Sequence, residues 1–377
     1  MAEWPRSPGL KPSTRVSLTR GSVAPEDAPV PAPRPLLRVR DLRVGFLRER
    51  SLFGRSRETV RAVDGVDLDI AEGTTLGLVG ESGSGKTTLG RAILRLIEPQ
   101  SGSVVFDGVE VLNASRSELR RLRREMQIVF QDPFGSLNPR MTVGRIVAEP
   151  LVIHGVAAGR ALQQRVGELL ERVGLRADHA RRYPHEFSGG QRQRMGIARA
   201  IAIGPRFLVL DEPVSALDVS IQAQIINLLD DLRRELSLTC LLIAHNLAIV
   251  RHISDRVAVM YLGRIVETAA ADELYARPRH PYTHALLAAA PNPDPTVRRE
   301  RPVWGGEPPS PFAPPTGCPF HPRCPFVTER CRVERPLLQG PSDAPADHLV
   351  ACHHAGEIAV AADTFAQKSL ALGDRTT

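Results

Sequence analysis

The chain has 377 residues, with 49 Lys and Arg against 42 Asp and Glu, and five Cys. That length allows one large domain with an appendage, or two domains, with ample buried core. No run is long and apolar enough to span a bilayer and the charged N-terminus lacks an apolar signal core, which sets aside membrane-embedded and secreted classes, while the positive excess suits a nucleotide, a nucleic acid or an anionic membrane surface without choosing among them.

Residues 1–36 are rich in Pro, Ser and Arg with little periodicity and read as a disordered arm. Leu37 to Phe46 alternates apolar and polar residues, as an amphipathic strand does. Arg48 to Arg57 is a charged insertion expected to be a loop, and Val60 to Ile70 reads as a second strand. After the turn at Glu72-Gly73, Thr75 to Val79 is a short apolar run that predicts a buried strand. Then comes Gly80-Glu81-Ser82-Gly83-Ser84-Gly85-Lys86-Thr87-Thr88, which fits the P-loop pattern G-x-x-x-x-G-K-S/T. Glycines there let successive backbone N–H groups approach phosphate oxygens, and the helix that follows turns its positive end to the same place. Lys86 is placed to reach the β- and γ-phosphates and the Thr87 hydroxyl to ligate Mg²⁺. The helix is expected over Thr88 to Ile97, stopped by Pro99.

Gly102 to Leu112 predicts a strand pair broken at Asp107-Gly108, Ser117 to Glu125 a basic helix, and Gln127 to Phe130 a strand ending at Gln131. From Pro133 to Arg182 helical pattern (Val143–His154, Arg160–Val173) alternates with polar turns and no strand is evident, so a helical insertion is expected over about residues 133–190. Ser188-Gly189-Gly190-Gln191 opens the next helix. Phe207 to Leu210 is a buried strand ending in Asp211 and Glu212. Ile221 to Leu236 is helical, and Leu238 to Ala244 is a buried strand ending at His245. Arg256–Tyr261 and Arg264–Glu267 predict a hairpin around Gly263. Strands alternating with helices argue a mainly parallel sheet covered on both faces. Composition shifts to Pro, Cys and His beyond Pro291, so a boundary is expected near residue 290, followed by a Cys-rich C-terminal domain to about 355 and a flexible tail over 356–377.

Two acids behind four apolar residues are costly to bury without a cation or partner. In a P-loop fold the Asp211 strand is expected beside the P-loop strand, its carboxyl end facing the phosphates. One carboxylate can then hold Mg²⁺ through water and the next can polarise the attacking water.

These motifs together resemble the ATP-binding subunits of ABC transporters. Ser188-Gly189-Gly190-Gln191 matches that family's signature, with Phe187 before it where leucine is commoner. Gln131 stands at the Q-loop position, Asp211-Glu212 ends the Walker B strand, Ser215 to Asp218 matches the D-loop, and His245 the switch histidine. The resemblance covers about residues 37–290. It implies an α/β P-loop ATPase core with an antiparallel β subdomain and a helical insertion. It also implies two subunits paired head to tail, homo- or heteromeric, with ATP between one P-loop and the other's signature. Glu212 would be the general base, His245 would contact the γ-phosphate, Gln131 would sense Mg²⁺, and Lys86 would bind phosphate. An aromatic upstream of the P-loop would stack on adenine; Phe46 is the candidate, with Phe53 or a nonaromatic residue as the alternatives.

Without a signal peptide the chain is expected in the cytoplasm, where cysteines are free or metal-bound rather than paired. Cys240 lies in a buried strand and reads as core. Cys318, Cys324, Cys331 and Cys352 crowd a short Pro-rich segment, which suits a metal staple, an iron–sulfur cluster or Zn²⁺ with His321, His353 or His354 as a possible replacement ligand. This segment resembles the C-terminal extension of peptide-importer ATPases, on Arg279-His-Pro-Tyr-Thr-His284 and Gly317-Cys-Pro-Phe-His-Pro-Arg-Cys324. In that subfamily the resemblance implies a four-iron four-sulfur cluster, with zinc or free thiols as alternatives. It further implies an ATPase at the cytoplasmic face of the membrane, docked through Phe134 to Pro139 on two transmembrane permease subunits. An extracellular substrate-binding protein would complete the system, oligopeptides or dipeptides would be the cargo, and nucleic acid would not be a partner. The alternatives are an importer ATPase for nickel or another small solute, a soluble ABC ATPase of translation or DNA repair, and a regulator that barely hydrolyses ATP.

Overall fold

The structure, a computed structural model, describes residues 34–49, 57–289, 309–310 and 312–358. Strand β1 (Pro35–Glu49) pairs antiparallel with β2 (Arg57–Ala71), and the ladder runs out to Glu49 opposite Arg57. The segment expected as a loop over 48–57 is therefore strand at both ends, and Phe46 lies within β1 rather than at its end. Next come β3 (Thr75–Val79) and helix α1 (Lys86–Ile93), shorter than expected at its C-terminal end. Strands β4 (Ser101–Phe106) and β5 (Val109–Glu110) turn at Asp107-Gly108, whose φ values of 47° and 80° suit a tight hairpin. These form a four-stranded antiparallel sheet in the order β2-β1-β4-β5.

Helix α2 (Arg116–Glu125) starts on a capping box in which Ser115 and Glu118 satisfy each other's backbone N–H groups. It leads into β6 (Met126–Val129). The insertion is helical as expected: α3 (Pro133–Ser136), α4 (Val143–Ile153), α5 (Gly159–Arg172), two one-turn 3-10 segments, then α6 (Gly189–Ile201). Beyond it run β7 (Phe207–Asp211), α7 (Val219–Leu236), β8 (Thr239–Ile243), α8 (Leu247–Ile253), β9 (Arg256–Tyr261) and β10 (Arg264–Ala270). The chain then forms α9 (Ala271–Ala276), α10 (Pro281–Ala289), α11 (Glu329–Val333) and β11 (Leu349–Val350).

The main sheet has the order β11-β10-β9-β3-β8-β7-β6, parallel from β9 to β6 and antiparallel at the β10–β11 edge. Its central strands β3, β7 and β8 are buried at every residue, as a sheet covered on both faces requires. Alternation splits their side chains between two cores. Leu76, Leu78, Phe207, Val209, Leu241 and Ile243 face the antiparallel sheet and α1. Leu208, Leu210, Cys240, Leu242, Val257 and Val259 face the other way, into a core shared by the helical insertion, α7 and α8. Cys240 is core as expected, and burial pushes its thiol up to about 12.

A separate Cys-rich C-terminal domain finds no support. Strand β11 extends the edge of the ATPase sheet through Glu267–Val350 and Thr268–Leu349 pairs. Cys318, Phe320 and Cys331 join the same core as the helical insertion. The segment has too little apolar surface to bury by itself, so it borrows the core of its neighbour. Residues 1–33 of the expected arm, Phe53, and residues 359–377 of the expected tail lie outside the described residues.

Candidate functional site

The P-loop connects the buried C-terminal end of β3 to α1. Its turn is set by glycine: Gly85 has φ 106°, and a Cβ there would stand 2.0 Å from the Ala62 carbonyl oxygen. Ser82 and Gly83 are exposed, so phosphate can reach the loop. Ser84 is buried, and its carbonyl accepts from the Gly263 N–H at 2.9 Å in the β9–β10 turn. Lys86 folds back into the loop and donates to the carbonyls of Gly80 at 2.8 Å and Glu81 at 2.9 Å. Burial lowers its pKa to about 8, against the pull of the Glu212, Asp211 and Glu81 carboxylates. These carbonyls hold the ammonium where a phosphate would compete for it.

One sequence expectation needs correction. The Asp211 strand, β7, does not lie beside the P-loop strand; β8 stands between them. Asp211 still reaches the cradle because parallel strands end on one edge of the sheet. Its Oδ1 accepts a 2.7 Å hydrogen bond from the Thr87 hydroxyl. Its Oδ2 is buried with no hydrogen-bond partner, 3.5 Å from the Arg91 guanidinium. An anionic oxygen orphaned beside a Thr hydroxyl is the donor set a hard divalent cation takes, so Thr87 and Asp211 fit Mg²⁺.

Glu212 adopts φ 48°, unusual for a residue with a side chain, and is held there by its N–H donating to the Ile243 carbonyl at 2.9 Å. The turn aims its carboxylate at the ends of two other strands. Gln131, beyond β6, donates through Nε2 to Glu212 Oε2 at 2.7 Å. His245, beyond β8, meets Glu212 Oε1 through Nε2. Two residues far from Glu212 in the chain thus converge on its carboxylate.

Ser188-Gly189-Gly190-Gln191 forms the N-terminus of α6. Ser188 caps it with a reciprocal box to Gln191. Ser188 is exposed and Gly189 half-buried, so the turn faces outward rather than into its own subunit. Gly190 is buried against α7, where a Cβ would stand 2.5 Å from Ile221. Asp218 is exposed at the start of α7, and Thr88 is half-buried within α1. Phe46 is 44% exposed and pairs with Val60, two residues along β2 from the Ala62 carbonyl that abuts the P-loop.

Residues 63–215 match the ABC transporter family, and residues 266–331 match the oligopeptide/dipeptide transporter C-terminal region. The oligopeptide transport ATP-binding protein AppF of Bacillus subtilis is 50% identical over 321 residues, 84% of this chain and 97% of its own. This chain belongs to the ATP-binding subunits of ABC transporters. A Brucella ovis protein with a provisional peptide import ATP-binding name is 55% identical over 294 residues, 78% of this chain and 92% of its own. Of solved structures, the dimeric ATP-binding cassette MJ0796 bound to ADP and Pi is 28% identical with a TM-score of 0.56, covering 62% of this chain and 98% of that one. The cassette cbiO1 from Clostridium perfringens is 29% identical with a TM-score of 0.54, covering 64% and 91%. The protein is an ATPase of this family.

The C-terminal cap, the described residues beyond β10, is anchored by residues of which the sequence marks only those in the stretches Arg279 to His284 and Gly317 to Cys324 as matching the peptide-importer extension. Glu267 on β10 is wholly buried. Its carboxylate accepts from the backbone N–H groups of Arg279 at 2.7 Å and His280 at 3.0 Å, and meets His348 Nε2 at 2.8 Å. The Arg279 guanidinium donates to Asp343 at 2.8 Å. Tyr282, Tyr261 and Phe320 pack tilted and edge to face beside this hub, with ring centroids 4.6 to 5.5 Å apart. The two matching stretches are the only signal in the sequence; their partners lie too far along the chain to be seen there.

The metal expectation for the cap is not supported. Among the described residues, no group of three or more His, Cys, Asp or Glu side chains is arranged to hold a metal ion. Cys318, Cys324, Cys331 and Cys352 are free. Burial pushes the Cys324 thiol up to about 11 and Cys352 to about 12, and raises Cys318. His321 and His353 are instead taken up by the backbone carbonyls of Cys318 and Glu334, and His354 meets Thr328 and Glu357.

Proposed function

We propose that this cassette powers an importer of oligopeptides or dipeptides. The observation that carries the cargo is the C-terminal region: residues 266–331 match the peptide-transporter extension, and relatives named for peptide transport align along nearly their whole length. No helix among the described residues is long and apolar enough to cross a membrane. The cassette therefore acts with separate permease subunits, peripherally at the membrane. Phe134, 63% exposed on α3 and packed under the Arg192 guanidinium, offers them an apolar contact. A substrate-binding protein outside the cell delivers the peptide.

The site residues take these roles. The P-loop N–H groups and Lys86 bind phosphate, and Lys86 exchanges two carbonyl partners for phosphate oxygens. Thr87 and Asp211 hold Mg²⁺, which when bound screens the phosphate charge. Glu212 is the base that takes the proton of the attacking water. Gln131 and His245 occupy both of its oxygens, so water enters by displacing one of them. Gln131 continues into α3, which packs on α6, so a shift at the carboxylate is passed toward the signature and the permease contact. Ser188 to Gln191 face the triphosphate of a second cassette, as the dimeric form of MJ0796 favours. Phe46 stacks on adenine.

Co-expression with two permease subunits, followed by reconstitution in vesicles, tests this reading. ATP turnover should rise with a peptide-loaded binding protein and not with nickel. Stimulation by nickel alone, or purification with ribosomes or DNA in place of permeases, would overturn it.

A further inference from the structure

Glu81, the second residue of the P-loop, is gripped at three groups. Its carbonyl accepts from Lys86 at 2.9 Å. Its N–H donates to the Tyr282 hydroxyl at 2.7 Å. Its carboxylate accepts both ends of the Arg323 guanidinium, each at 3.0 Å. Tyr282 and Arg323 both belong to the region beyond the catalytic core, 201 and 242 residues along the chain. Arg323 ends a one-turn helix, His321–Arg323, that the Phe320 ring seats against Tyr261 and Tyr282. Its side chain is 12% exposed and that of Glu81 32%, so the pair is shielded beyond the usual surface ion pair.

We propose that the C-terminal cap completes the nucleotide site, with Arg323 and Tyr282 as positioning residues that hold Glu81 for MgATP. A carboxylate in a phosphate cradle repels the ligand the cradle is built to bind. Arg323 cancels that charge and, as a planar fork, fixes the direction of the carboxylate as well. Tyr282 holds the backbone of the same residue, which fixes the first turn of the cradle. The cap is then part of the ATP site rather than an appendage to it. This rests on the ATPase reading, and the test separates the two.

The experiment uses the full chain, a fluorescent ATP analogue for binding and phosphate release for turnover. In R323A, Kd and KM for MgATP should rise about tenfold at low salt, with kcat within about twofold. R323K keeps the charge without the fork and should fall between. In the E81Q background, adding R323A should move KM by less than about twofold, because the charge to be cancelled is gone. Y282F, a small change with little folding risk, should raise KM about threefold. The proposal is overturned if R323A leaves KM unchanged, if it lowers kcat and melting temperature with KM intact, or if E81Q does not absorb its effect. Failure of the parent protein itself to bind MgATP would overturn the ATPase reading beneath it.

Discussion

The nucleotide site and the C-terminal cap solve the same problem, a buried carboxylate, in different ways. At the nucleotide site the acids are left incompletely satisfied: Asp211 keeps one oxygen without a hydrogen bond, and Glu212 is held by side chains rather than backbone. In the cap Glu267 is fully buried and takes two backbone N–H groups and a histidine. A site that must exchange partners keeps its bonds replaceable, whereas one that only holds the chain together closes them.

That contrast sets the order of the expected effects. The largest is at Glu212. Replacing it by Gln should lower ATP turnover by about a hundredfold to ten-thousandfold, the usual contribution of a general base. ATP binding should survive, and ATP should now trap a dimer visible by light scattering. Full turnover in this variant would remove Glu212 as the base.

Next comes the closed hub of the cap. His348→Ala takes one of the two partners of the fully buried Glu267 Oε1, which keeps the Arg279 N–H, at a cost of about 1–3 kcal/mol. Thermal unfolding should shift down, and limited proteolysis should open the segment around β11 first. An unchanged melting curve would show that the hub carries no stability.

The smallest effect is one of pH. Burial lowers the Lys86 pKa to about 8. Phosphate binds the charged ammonium and raises that value, so above pH 8 binding must take up a proton. ATP affinity should be flat below about pH 7.5 and weaken above 8, by up to about tenfold per unit. Affinity that improves with rising pH would contradict the role given to Lys86.

The two regions also differ in how far they could be read in advance. The P-loop is nine consecutive residues whose spacing is itself the mechanism, and the strand-turn-helix context around it is local. Gln131, Glu212 and His245 each stand just beyond an apolar strand and are legible one by one. Their meeting on one carboxylate follows because parallel strands end on the same edge. The cap yielded least. Its cysteine spacing suggested a metal staple and a separate domain. The chain instead buries Cys318 and Cys331 in the ATPase core and adds β11 to the ATPase sheet. Helices α8 to α10 are each too short to carry a periodic signal in the sequence.

By itself the sequence determined the catalytic motifs and the alternation of strand and helix, because phosphate binding and burial on both faces of a sheet impose local patterns. Only the tertiary structure decided that β8 separates the P-loop strand from the Asp211 strand, and that Arg323 and Tyr282 close on Glu81 from the far end of the chain. The physical reason is range: a hydrogen bond acts across about 3 Å whatever the separation along the chain, and nothing in one chain segment records which distant segment will arrive beside it.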